Sequence, residues 1–166
     1  IINNTITNSS TDIDDQFIGI QTEGNSSNYL FTNNTVNGPG KTHEGSFAIQ
    51  TGSSTGTSFC NYTNDTRIGL FILGDCNPSS IYSNHMHDHH YGLEMDSYSA
   101  IGLQDNHQNE WHNNPYNGDG AFYGPFNLPG TEIISQFWIA SSIPVQTNTL
   151  WPNTVSKFTP HLNNAI

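Results

Sequence analysis

The sequence predicts an all-β chain wound as a right-handed parallel β-helix of about four or five coils. Two short units predict it, because they recur in constant order along most of the chain. The composition agrees: only 33% of the 166 residues are hydrophobic, too few for a two-layer domain but enough for the thin central column of a solenoid. Charged residues are 10%, so this is not the composition of a charged disordered tail. Polarity comes from 22 Asn, 15 Gly and many Ser and Thr, residues that favour tight corners and side-chain ladders.

The first unit is Asn-x-apolar. It occurs as Asn4-Thr5-Ile6, Asn34-Thr35-Val36, Asn84-His85-Met86 and Asn109-Glu110-Trp111, with a weaker copy at Asn61-Tyr62-Thr63, so that successive intervals are 30, 27, 23 and 25 residues. The second unit, apolar-small-apolar, follows as Ile18-Gly19-Ile20, Phe47-Ala48-Ile49, Ile68-Gly69-Leu70 and Tyr91-Gly92-Leu93, with a fifth copy at Asp119-Gly120-Ala121-Phe122. From marker Asn to marker small residue the gaps are 15, 14, 8 and 8. The first two coils therefore carry about six extra residues each, in Thr7–Asp15 and Asn37–Gly45, which become loops on one face of a repeat array.

Each unit is a strand of three to five residues whose alternate side chains point inward. Stacked coils bury Ile, Leu, Val, Phe and Met in one column. An Asn recurring at one corner passes amide hydrogen bonds from coil to coil, and the small residue permits close approach of backbones. At ~4.8 Å per rung, five coils make a rod about 24 Å long. A β-sandwich with regular hairpins is the competing architecture. A leucine-rich repeat lacks its Leu spacing and helix here.

After Trp111 the pattern decays. Pro115, Pro125, Pro129, Pro144, Pro152 and Pro160 arrive with Tyr116, Phe122, Tyr123, Phe126, Phe137, Trp138 and Trp151. Proline removes ladder donors, so the repeat region is placed at 1–130 and a Pro/aromatic-rich C-terminal cap or extended linker at 131–166.

Three basic against 14 acidic residues give a net charge of −11, which disfavours nucleic acid, since no Lys/Arg patch exists to displace counterions. It also disfavours a broad face for anionic polysaccharide. No run of ~18 apolar residues predicts a membrane span. The sequence begins in mid-pattern at Ile1-Ile2-Asn3-Asn4, so the expected partner is the remainder of a larger polypeptide or a surface assembly, with glycans as the candidate ligands. Cys60 and Cys76 are either one disulfide, in an extracellular setting, or two free thiols.

Ile18-Gly19-Ile20-Gln21, Cys60-Asn61-Tyr62-Thr63 and Gly69-Leu70-Phe71-Ile72 resemble the parallel β-helix repeats of pectin-lyase-like proteins, and more narrowly those of large surface proteins of the Bacteroidetes. Ile101-Gly102-Leu103-Gln104 followed by Asn109-Glu110-Trp111 resembles the way such arrays end. The likeness covers about residues 1–115. It implies a secreted or cell-surface segment of a long chain, exported by the type IX pathway. Nothing in Trp151–Ile166 looks like the sorting domain that such proteins carry.

Candidate chemistry lies in three places. In the run His85-Met86-His87-Asp88-His89-His90, a strand would set His85 and His87 on one face, where with Asp88 or His90 they could ligate a transition metal; Glu94 and Asp96 lie close behind. The alternative is a repeat strand followed by an exposed corner at His87–His90. Asp12, Asp14 and Asp15 on the first inserted loop, with His43 and Glu44 on the second, could lie side by side. They would form a small acidic site offering the opposed carboxyls of a glycoside hydrolase, with Asp14, Asp15 and Glu44 as candidate catalytic groups; separately, the acidic residues scattered along the chain could hold Ca²⁺. The motif set of polygalacturonase-like hydrolases is missing, however. Lyase chemistry has only Lys41, Arg67 and Lys157 to draw on. Trp111, Tyr116, Tyr123 and Trp138, with Phe122, could make a sugar-binding platform or could pack the end of the column. The leading expectation is a non-catalytic structural or adhesive segment. A polysaccharide hydrolase and a glycan-binding module are the alternatives.

Overall fold

Four of the corners are set by a single residue in the left-handed region. Asn3, Asn33, Cys60 and Ser83 have φ of 58°, 55°, 53° and 52°, each immediately before a marker asparagine. Asn tolerates this conformation better than most residues. One such residue turns an extended chain sharply enough to start the next strand on a new face.

In the computed structural model the described residues are 1–104 without 9, 11, 13, 14, 97 and 98, then 109–112, and the strands at 121–123, 136–140, 155–156 and 159–163. The chain is a parallel β-solenoid of about four turns. One sheet consists of β1 (Thr5–Thr7), β4 (Thr35–Asn37), β7 (Tyr62–Asn64), β10 (His85–His87) and β13 (Glu110–His112), stacked in that order. A second stacks β2 (Phe17–Thr22), β5 (Ser46–Gly52), β8 (Ile68–Leu73), β11 (Tyr91–Met95), β14 (Ala121–Tyr123) and β16 (Val155–Ser156). The third face is built from β3 (Ser27–Thr32), β6 (Thr55–Phe59) and β9 (Ser80–Tyr82), and further on from β12 (Leu103–Gln104), β15 (Gln136–Ala140) and β17 (Thr159–Asn163). Every pairing between these strands is parallel.

The break in the third face has a local cause. The Gln104 side chain takes the place of a strand neighbour, accepting from the Ile81 N–H at 2.9 Å and donating to the Ser79 and Ile101 carbonyls at 2.7 and 2.9 Å.

Register follows the two sequence units. Ile6, Val36, Thr63, Met86 and Trp111 lie side by side in the first sheet, and Ile20, Ile49, Leu70 and Leu93 in the second. With Phe31, Ile72, Ile81, Met95 and Ile101 their apolar members form the buried column, Ile6 packing against it partly buried, while Thr63 is a buried polar residue at its level. The marker small residues admit these side chains. A Cβ on Gly19 would stand 2.4 Å from Val36 Cγ1 and 2.7 Å from the Ala48 carbonyl oxygen. The extra residues of the first two coils fall between β1 and β2 and between β4 and β5, as the spacing predicts; in the next two coils that corner is residues 65–67 and 88–90.

Beyond Trp111, among the described residues, β15 pairs in parallel with β12 and with β17. Pro160 stands in β17, the edge strand of its sheet, where a missing donor is tolerated. No helix among the described residues is long and apolar enough to cross a membrane.

Candidate functional site

The asparagine corner forms a continuous ladder inside the solenoid. Each amide oxygen accepts twice from the preceding coil, once from the backbone N–H and once from the side-chain NH₂. Asn34 Oδ1 accepts from Asn4 at 3.1 and 3.2 Å, Asn61 Oδ1 from Asn34 at 3.1 and 2.9 Å, and Asn84 Oδ1 from Asn61 at 3.2 and 2.9 Å. Asn109 Oδ1 accepts from Asn84 at 3.1 Å in both bonds. The second amide hydrogen goes to a main-chain carbonyl one corner back, from Asn61 to Phe31, Asn84 to Ser58 and Asn109 to Ile81. Buried amides are tolerated only when saturated in this way.

The histidine run does not assemble a metal centre. Among the described residues no group of three or more His, Cys, Asp or Glu is placed to hold an ion. His85 and His87 do share a face of β10, opposite the buried Met86, but each finds a different neighbour. His85 Nδ1 lies 3.0 Å from Glu110 Oε2, and the His87 ring tilts against Tyr62 at 5.8 Å. Asp88 takes Lys41 Nζ at 2.7 Å.

The corner is also not wholly exposed, since His89 is 0% accessible. Its Nε2 lies 2.9 Å from Thr63 Oγ1, and its Nδ1 lies 3.0 Å from Thr66 Oγ1 and 3.3 Å from the Thr66 nitrogen. Burial holds the imidazole down to about 4, against weaker opposing hydrogen bonds to Thr66 and Thr63.

The two inserted loops do lie together. His43 Nε2 reaches the Asp12 carbonyl oxygen at 2.6 Å, and the Phe17 N–H donates to the Gly45 carbonyl at 3.0 Å. The joining atoms are the His43 ring nitrogen and main-chain groups, with no carboxylate among them, and Asp15 and Glu44 are exposed; Asp14 is outside the described residues. Trp111 is 2% exposed and packs in the column, so its ring cannot serve as a surface platform. Tyr116 lies outside the described residues, and Tyr123 and Trp138 are described only as positions in β14 and β15. Cys60 and Cys76 are free thiols, the first exposed and the second buried, with Cys76 Sγ 3.7 Å from Thr51 Oγ1.

Sequence reasoning missed the outer face of the second sheet. Leu70 and Leu93 belong to the column, so by alternation Phe71 and Glu94 point away from it. Phe71 stacks on Phe47 with centroids 4.9 Å apart and planes 12° apart. Arg67 lies over Tyr91 at 5.7 Å, and His90 meets the same ring edge-on. Burial pushes the Glu94 carboxyl up to about 7, with Asp96 adding to the rise and Arg67 opposing it. Glu23 accepts from the side chains of both Gln21 and Gln50. The signal was present: these are the positions one before and two after the small residue of each second unit.

The third face carries a similar stack, Phe59 on Tyr82 at 4.9 Å and 7°. Rings stacked face to face along the axis turn their edges outward, which leaves little ring face for a sugar.

No family model, curated protein or solved structure matches this chain.

Proposed function

We propose that this chain is a non-catalytic structural or adhesive segment of a secreted or cell-surface protein, built as a right-handed β-solenoid. The observation that carries the reading is that like residues in neighbouring coils are spent on one another. The interior asparagines bond along the axis, and outer aromatics stack along it. Side chains used in this way hold coils in register and leave few groups to act on a ligand. The right-handed sense is favoured because connections between parallel strands of one sheet take that hand in about 98% of cases. The likeness of the repeats to pectin-lyase-like coils supports an extracellular location and a place within a longer chain, and extends to the surface proteins of the Bacteroidetes.

The test is a panel of neutral and anionic polysaccharides incubated with the protein and assayed for new reducing ends and unsaturated products. No turnover is expected. Turnover lost in Asp15→Asn or Glu94→Gln, with the fold intact by circular dichroism, would overturn the reading.

One observation favours a second reading, a polysaccharide hydrolase. Glu94 holds its proton toward neutral pH, as a general acid must, and Asp96 follows two residues later and is exposed. Glycoside hydrolysis uses such a pair, one carboxyl protonated and one ionised. The same panel separates the two readings.

A further inference from the structure

We infer that the corner Asp88–His90 is a proton-operated seam between the third and fourth coils: protonation of His89 frees that corner from the coil it packs against. The seam is built from aligned corners. Asp65-Thr66-Arg67 of the third coil stands beside Asp88-His89-His90 of the fourth, and both aspartates are in the left-handed region, at φ of 54° and 56°. Where the third coil has Thr66, the fourth has an imidazole, which reaches back across the boundary to Thr63 and Thr66. Space for it is made by glycine: a Cβ on Gly69 would lie 2.8 Å from His89 Cδ2 and 2.9 Å from Nε2.

The ring is wholly buried, and its hydrogen-bond partners among the described residues are neutral. Nδ1 lies 3.0 Å from Thr66 Oγ1, 3.1 Å from the Thr66 carbonyl oxygen and 3.3 Å from the Thr66 nitrogen, and Nε2 lies 2.9 Å from Thr63 Oγ1. Either nitrogen of the neutral ring can therefore carry its proton. The cation finds acceptors as well, but it loses its water without gaining an anionic partner in contact, and burying such a charge is costly.

The charges nearby do not compensate. On its own corner the ring is flanked by Asp88, His87 and His90, and the packed corner carries Asp65 and Arg67. Asp88 is the group that favours the cation and His87 opposes it. The Asp88 carboxylate is already bound by Lys41, whose own N–H is held by Asp65 at 3.1 Å. Arg67 faces Tyr91. The ring is therefore charged readily only when the corner swings out, and that swing also strains the Lys41–Asp88 tie to the second coil.

The linkage has a definite sign. An opened corner takes up a proton at the ordinary 6.5, whereas the closed one does so at about 4, so acid favours opening across that interval. Below about 4 both states are protonated, and the bias toward opening stays at its full value without growing further.

The test is amide hydrogen exchange of the full chain between pH 7.5 and 4.5, corrected for intrinsic rates and read at 85–95 against 46–52. At pH 4.5 protection of 85–95 is expected to fall by on the order of 50-fold or more, with a much smaller change at 46–52. His89→Thr, which copies the third coil, should abolish the difference. Should that variant fail to fold, ¹⁵N shifts of the wild-type imidazole decide: the neutral ring is expected to persist at pH 5.5 in the closed protein. Titration of His89 near 6.5 without loss of protection would overturn the proposal, and so would an equal acid-induced loss in His89→Thr.

Discussion

Replacing Asn61 by alanine removes the central rung of the ladder while touching no loop and no apolar residue of the column. Its Oδ1 accepts the Asn34 N–H and side-chain amide at 3.1 and 2.9 Å, and its Nδ2 donates to Asn84 Oδ1, the Phe31 carbonyl and Ser58 Oγ at 2.9, 3.0 and 3.2 Å. Two amide hydrogens share the last three contacts, so about four hydrogen bonds are lost, each with a net value of about 1 kcal/mol. Some neighbours keep other partners: Asn34 Nδ2 retains the Ile1 carbonyl and Asn84 Oδ1 retains the Asn61 N–H. The Asn34 N–H has no second acceptor among the described residues, and stranding a buried donor costs about 1–3 kcal/mol. Three bonds at about 1 kcal/mol each and the stranded Asn34 N–H give an expected loss of about 4–6 kcal/mol.

Asn4→Ala is the internal control. Asn4 is exposed and gives its side chain to Asn34 Oδ1 and the Ile2 carbonyl, so its loss should stay below about 1 kcal/mol. Equilibrium urea unfolding measures both. With a slope of about 2 kcal/mol per molar, the midpoint for Asn61→Ala should fall by roughly 2–3 M at unchanged slope. If the two substitutions lie within about 1 kcal/mol of each other, the ladder contributes nothing beyond local solvation and the reasoning fails.

Three further outcomes are expected. In the native chain Glu94 keeps its proton to about 7 against an ordinary 4.5, so the wild type loses stability as pH rises from 4.5 through 7. Glu94→Gln should therefore melt above the wild type at pH 8, with the gap closing toward pH 4.5; a pH-independent gap would refute the assignment. Gly69→Ala places a methyl 2.6 Å from the Gly92 carbonyl oxygen and against the His89 ring. It should cost about 1–3 kcal/mol in thermal or urea unfolding, and a neutral result would show that the seam is loosely packed. Under native conditions a maleimide should add once, at the exposed Cys60, and a second time, at Cys76, only after unfolding; zero or two native additions by intact mass would contradict the placement of the thiols.

Much of the architecture is legible in the sequence because its constraints leave marks at fixed spacing. A saturated amide ladder needs an asparagine in every coil, so Asn4, Asn34, Asn61, Asn84 and Asn109 are readable as one column from their spacing and their apolar neighbours alone. The corner residue before each is only half readable: Asn3 and Asn33 are ordinary left-handed residues, but Cys60 and Ser83 carry no such signature. The unit Asn-x-apolar already assigns Trp111 to the inward position held by Val36 and Met86, and reading it as a platform overlooks that assignment. His89 is hidden for another reason. Four histidines in six residues look like a polar corner, and only alignment of Asp88-His89 with Asp65-Thr66 shows which one turns inward.

The variable coil lengths and the invariant register have one explanation. Intervals between rungs run from 23 to 30 residues, yet Ile6, Val36, Thr63, Met86 and Trp111 remain directly opposed. A column of aliphatic side chains cannot enforce this, because Ile, Leu and Met pack with little penalty one residue out of place, provided they stay inside. An amide ladder can. A one-residue slip turns every Asn to the other face and separates two donors from each acceptor at every rung. Length differences are thereby driven away from the asparagine corner and into the loops between the first and second sheets. Those loops, and the titratable corner that replaces them in the fourth coil, are where a scaffold of this kind can vary without losing its register.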